Sequence, residues 1–139
     1  MVAFRIDRHS GVATYQQLIN QVKTALRLGV LQPGDQLPTA RQVVEQTAVN
    51  PNTVLRAYRE LEREGLVDPR PGKGTFVRRS LARPEAGAGS PLRAAFAAWL
   101  EQARAAGLQR EDVLALVTDV LDGEAADGEA AREEEEQKK

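Results

Sequence analysis

Seven consecutive residues, Asn50-Pro51-Asn52-Thr53-Val54-Leu55-Arg56, combine side chains that read nucleic-acid bases with the signals that start a helix. Asparagine pairs in bidentate fashion with adenine and arginine with guanine, while threonine donates to a phosphate or touches a thymine methyl. Asn50 is a strong N-cap, and Pro51 suits the first helical position, where its missing N–H is not needed. The N–H groups left open at a helix start form an anion site. Each residue also has an ordinary structural explanation. Asn50 caps the helix, Asn52 and Thr53 are polar because the first turn is solvated, and Arg56 pairs with Glu60 one turn on. Arg59 and Arg63 lie further along and read as a solvated face.

A second group is Pro71-Gly72-Lys73-Gly74-Thr75. Glycines on both sides of Lys73 let the backbone approach a groove or a phosphate closely. The plainer alternative is a hairpin turn carrying one exposed lysine. The group superficially resembles a phosphate-binding loop, but it precedes a strand instead of opening a helix. Arg41 completes the set, either as a phosphate or base contact or as a surface arginine.

These residues need elements to place them. The segment 14–28 carries Tyr15, Leu18, Ile19, Val22, Ala25 and Leu26 at helical spacing, and Gly29 stops it. Residues 4–7 form a short extended arm before it. Residues 31–35, with Pro33 and Gly34, read as a turn. Thr39 and Gln42 have the spacing of a capping box, which starts a short second helix ending near Thr47. The third helix runs from Pro51 to about Glu64, with Val54, Tyr58 and Leu61 as its apolar stripe. Two β-prone runs, 66–68 and 75–77, flank a Pro/Gly cluster and predict a hairpin. The expected fold is therefore mainly α with a small β-hairpin: a winged helix-turn-helix domain over 1–79. Such a fold lays the N-terminal part of its second motif helix in the DNA major groove.

Residues 80–90 form a Pro/Gly/Ala/Ser-rich linker. Residues 91–122 predict an αα-hairpin with Leu92, Phe96, Trp99 and Leu100 on one helix and Val113, Leu114, Val117 and Leu121 on the other. Two such helices are too few to bury this surface alone, so a C-terminal dimerisation hairpin paired with a second copy is expected. The Phe96 and Trp99 pair reads as packing, not as a ligand cage. Residues 123–139 are acidic and expected to be disordered.

Composition narrows the function classes. The chain has 139 residues, no cysteine and one histidine, which excludes thiolate chemistry and leaves no ligand set for a metal. No Gly-rich nucleotide fingerprint opens a helix, so no catalytic cluster is expected and the chain does not read as an enzyme. No apolar run approaches the ~20 residues that span a bilayer, and a cytoplasmic protein without membrane contact is the expectation. The net charge of -1 hides an asymmetry. Residues 1–79 hold 12 basic and 7 acidic residues, and residues 80–139 hold 7 and 13. Only the front half suits a polyanion. A protein-interaction module with incidental DNA binding is the alternative, mildly favoured by the acidic tail.

Several separately placed motifs resemble one family. They are Tyr15-Gln16-Gln17-Leu18, the stretch from Gly29 to Arg41, Val49-Asn50-Pro51-Asn52-Thr53-Val54, Ala57-Tyr58-Arg59-Glu60-Leu61-Glu62, and Gly72-Lys73-Gly74-Thr75-Phe76-Val77. Together they look like the N-terminal domain of GntR-family transcriptional regulators over residues 4–78. Pro38-Thr39 stands where the family usually has Pro-Ser, and Leu55 where it often has arginine. A short two-helix tail is similar to the YtrA-like branch. That resemblance implies a homodimeric repressor of its own operon, often with ABC-transporter genes, binding a palindromic double-stranded operator. The implied DNA-binding residues are Arg41, Asn50, Asn52, Thr53, Arg56, Gly72, Lys73, Gly74 and Thr75. No cofactor is implied. Whether a small-molecule effector is sensed stays open.

Overall fold

A computed structural model describes residues 2–137. The elements run α1 (Thr14–Arg27), α2 (Ala40–Thr47), α3 (Pro51–Arg63), β1 (Val67–Arg70), β2 (Gly74–Val77), α4 (Pro91–Ala105) and α5 (Arg110–Gln137), with one 3-10 turn at Pro84–Ala86. The chain divides into two compact units, Met1–Arg93 and Ala94–Lys139.

In the first unit the apolar stripes of α1 and α3 face one core. Leu18, Val22 and Leu26 of α1 meet Val54, Ala57 and Leu61 of α3, all essentially without solvent contact. Val43 is the one fully buried residue of α2. Phe4, Leu31, Leu37, Val49, Leu66, Val67 and Val77 close the core from the loops and the hairpin. Complete burial of a leucine or valine contributes about 1.5–3 kcal/mol, so this interdigitated set holds the helix angles.

The helix ends follow their sequence signals. At α1 the Val30 N–H donates to the Ala25 carbonyl and the Gly29 N–H to that of Leu26, with Gly29 at φ 76°. The same pair of bonds ends α3, from Leu66 to Leu61 and from Gly65 to Glu62. Both are Schellman stops, which need a residue of positive φ. α2 ends differently: Ala48 holds φ 58°, a left-handed conformation that alanine adopts at a cost.

β1 and β2 pair antiparallel, with Val67 opposite Val77 and Arg70 opposite Gly74. The strand therefore includes Pro69, and the turn is tighter than the Pro/Gly cluster suggested. The Lys73 N–H donates to the Arg70 carbonyl at 2.9 Å. Pro71 followed by Gly72 at φ 75° is the pairing a type II turn requires. The loop before α2 joins the other edge of β2, with Leu37 N–H on the Thr75 carbonyl and Val77 N–H on the Asp35 carbonyl, both at 2.8 Å. The extended arm at residues 4–7 is tied to α1 by two side chains. Gln21 brackets the Arg5 backbone and Gln17 the Asp7 backbone.

The second unit holds a helical hairpin closed by Gly107. Its α5 does not stop near residue 122, and the acidic segment expected to be disordered continues the helix to Gln137. Alanine and glutamate, both strong helix formers, fill most of that stretch without a proline. Its side chains are all exposed, so intrinsic propensity and not packing accounts for it. No described helix is long and apolar enough to cross a membrane.

Candidate nucleic-acid interface

The interface is built on the N-terminal half of α3. Asn50 caps that helix: its Oδ1 accepts the Asn52 N–H at 2.8 Å, and Pro51 follows at the first helical position. The cap uses only the carbonyl oxygen, and the exposed side-chain amide of Asn50 keeps its two N–H donors facing solvent. Ahead of it, the Thr39 Oγ1 accepts from the Gln42 N–H at 3.1 Å and Gln42 Oε1 accepts from the Thr39 N–H at 2.9 Å. This reciprocal box fixes where α2 starts, and so where Arg41 projects.

Tyr58 locks the two motif helices. Its ring is buried on the α3 stripe, and its hydroxyl donates to the Pro38 carbonyl, just before α2, at 2.6 Å. Burial pushes the tyrosine hydroxyl far above its ordinary ionisation range, so it stays a donor. Lys23 of α1 pairs with Glu64 at the end of α3 at 2.8 Å.

With the helices set, the side chains sort by exposure. Asn52 is exposed and Thr53 half-buried at the helix start. Arg56 is also exposed, but it does not pair with Glu60. Glu60 is taken by Arg63 at 2.6 Å, one turn further on. The Arg56 guanidinium lies over the Tyr15 ring of α1, 3.8 Å from its centroid. This cation–π contact orients an arginine that a surface helix would otherwise leave mobile. Sequence spacing cannot find it, because the two residues meet only when α1 packs on α3. Arg41 is fully solvated and loosely paired with Glu45 at 3.5 Å, a contact worth little in water. The acidic residues of α3, Glu60 and Glu62, lie in its C-terminal half, and Glu62 lines one groove with Asn52, Leu55 and Arg59.

The hairpin presents Lys73 at its exposed tip. Gln36 supports that tip by donating from Nε2 to the Lys73 carbonyl at 3.0 Å. A Cβ at Gly74 would lie 2.5 Å from the same Nε2, and Gly74 has φ 128°. Gly74 thus admits Gln36 against the turn, while Gly72, with open space around it, serves the turn itself. Thr75 is half-buried, and its carbonyl is taken by Leu37. Arg70 lies over Phe76 at 4.5 Å and adds a second oriented cation on the hairpin. Asn52, Leu55 and Arg59 line one side of a groove whose other side is Val67, Pro69 and Thr75. The arrangement offers donors and cations at a protruding helix end beside a basic hairpin, the shape that enters a duplex groove. Among the described residues no group of three His, Asp or Glu side chains is placed to hold a metal.

The helical hairpin is described separately. Only Ala103 and Val113 are buried in it. Val113 therefore packs inside the hairpin, whereas Phe96, Trp99, Leu114, Val117 and Leu121 are exposed and Leu100 is half-buried. Leu92, one turn before Phe96 on α4, is exposed as well. The rings of Phe96 and Trp99 stack with centroids 5.9 Å apart. They border an apolar groove with Leu116, Val117, Val120 and Leu121. Leu116 and Val120 sit on the same face of α5 at i and i+4.

Comparison with known proteins gives a consistent picture. Residues 14–77 match the family described as bacterial regulatory proteins, gntR family. The HTH-type transcriptional regulator Rv1152 of Mycobacterium tuberculosis is 39% identical over 122 residues, covering 85% of this chain and 93% of that protein. The HTH-type transcriptional repressor YtrA of Bacillus subtilis is 42% identical over 73 residues, 52% of this chain and 56% of that relative, so the match spans just over half of YtrA. Among solved structures, YtrA from Sulfolobus acidocaldarius, a GntR-family transcription factor, is similar at a TM-score of 0.50 and 27% identity, over 86% of this chain and 97% of that one.

Proposed function

This chain belongs to the GntR family of bacterial regulatory proteins, and from that premise we propose that it represses its own operon as a homodimer on a palindromic operator. The observation that carries the proposal is the polar start of α3, with Asn52 and Thr53 in its first turn and Arg56 held by Tyr15, beside the Lys73 hairpin tip. Each protomer reads one half-site: Asn50, Asn52, Thr53 and Arg56 enter the major groove, Arg41 flanks them, and Lys73 reaches the backbone from the wing. Repression is supported by the name of the Bacillus relative, and the proposal includes ABC-transporter genes in the operon as the resemblance of the two-helix tail implies. Pairing of two chains through the exposed face of Phe96, Trp99, Leu116, Val117, Val120 and Leu121 supplies the two-fold symmetry that a palindrome requires.

The test is fluorescence anisotropy with the duplex upstream of the protein's own gene and an unrelated duplex of equal length, at two salt concentrations. A preference of ~10³-fold or more for the upstream duplex is expected. Lys73→Ala should weaken both duplexes alike and lower the salt slope by about two, one for each protomer. Equal, weak and salt-sensitive binding to both duplexes would overturn the operator assignment, and a folded dimer that binds neither would favour a protein partner instead.

A further inference from the structure

Leu55 stands exposed between the polar side chains of Asn52 and Arg59, on the side of α3 that faces the hairpin across a groove. The other apolar residues of α3, Val54, Ala57, Tyr58 and Leu61, are buried, and Leu55 alone among its large apolar residues is exposed, at 46%. It lies one turn after Asn52 and one turn before Arg59, and all three line the groove beside the hairpin. The Leu55 carbonyl already receives the Arg59 Nε at 3.4 Å, so the following turn points the same way. Its side chain therefore accompanies the polar readers wherever they go.

We propose that Leu55 is a specificity residue that reads a thymine through its C5-methyl group. This rests on the DNA-binding reading above and deepens it. In the major groove the thymine methyl is the one apolar feature of the base edges. A leucine laid against guanine O6 and N7, or against the cytosine amino group, strips water from those groups and offers no hydrogen bond in return. Against a methyl it excludes water at no such cost. Asn52, one helical turn away, suits adenine. The two readers together therefore favour A·T pairs in each half-site.

The experiment starts from the tightest duplex selected from a pool with a randomised centre. Each thymine is then replaced in turn by uracil, which removes only the methyl, and affinity is read by anisotropy for the wild type and Leu55→Ala. At one thymine per half-site the wild type should lose about fourfold, the transfer value of one buried carbon. Leu55→Ala, which changes both protomers of the proposed dimer, should bind the parent duplex about as weakly as the wild type binds the duplex carrying that uracil in both half-sites, with no further loss there. Leu55 is exposed, so an unchanged melting temperature confirms that the variant folds. Specific binding in which no thymine shows Leu55-dependent sensitivity would overturn the assignment of Leu55 alone. Failure of the selection to yield any preferred duplex would overturn the DNA-binding reading itself, and this proposal with it.

Discussion

Removal of one oxygen from Tyr58 tests how the two motif helices are held. In Tyr58→Phe the ring and its burial remain, and only the 2.6 Å bond to the Pro38 carbonyl is lost. Pro38 is fully buried, so its carbonyl has no ready replacement from solvent. Leaving such an acceptor unpaired costs about 1.5 kcal/mol, within the usual 1–3. For a domain of this size that lowers the melting temperature by about 6–12 °C. The same bond predicts a pH signature. Burial raises the folded-state ionisation of Tyr58 well above its ordinary value, while the unfolded chain ionises near ~10. The tyrosine's contribution is therefore fully present below about pH 10 and falls by about 1.4 kcal/mol per unit above it. Phenylalanine has no proton to lose. The advantage of the wild type should vanish near pH ~11, where the unfolded tyrosine has gained about 1.4 kcal/mol from ionisation. Urea unfolding followed by far-UV circular dichroism at a series of pH values reads both effects. Equal stability at neutral pH, or a difference that stays constant from about pH 8 to about pH 11, would refute the assigned bond and its burial.

Three other substitutions probe separate parts of the fold. Ala48→Gly relieves the left-handed backbone at the end of α2 and should raise stability by about 0.5–1 kcal/mol, seen as a higher urea midpoint with an unchanged slope. Tyr15→Leu removes the ring under Arg56 and should weaken operator binding about two- to fivefold, while Tyr15→Phe keeps it; equal binding by all three proteins would leave the cation–π contact without a role. Trp99→Asp places a charge on the exposed apolar face of α4 and should give a monomer on sedimentation, with operator affinity reduced because two linked half-site contacts become one. A stable Trp99→Asp dimer would move the interface elsewhere.

Local signals were legible because they act within a few residues. The Thr39–Gln42 capping box, the Asn50-Pro51 start and the Gly29 and Gly65 stops are each closed by backbone groups no more than five positions away. The Pro71-Gly72 turn is of the same kind. The acidic tail shows the limit of that reasoning: charge and low hydrophobicity suggested disorder, but the alanine and glutamate content carries α5 to Gln137. The αα-hairpin was readable as a pair of stripes, and its exposed residues follow because two helices cannot enclose both.

The sequence by itself determined the helices of the first unit, their end signals, the β-hairpin and the residue types at the start of α3, since propensity and period are local properties of the chain. Only the tertiary structure decided which partner each side chain meets. Arg56 could pair with Glu60 by spacing, yet the packing of α1 on α3 brings the Tyr15 ring within 3.8 Å and leaves Glu60 to Arg63. Gln36 carries no local signal, and only the pairing of its segment with β2 sets its amide against Lys73 and Gly74, 37 and 38 positions on. Contacts between residues so far apart depend on the angles at which helices and strands pack, and those angles are fixed by the shared core instead of by any single stretch of sequence.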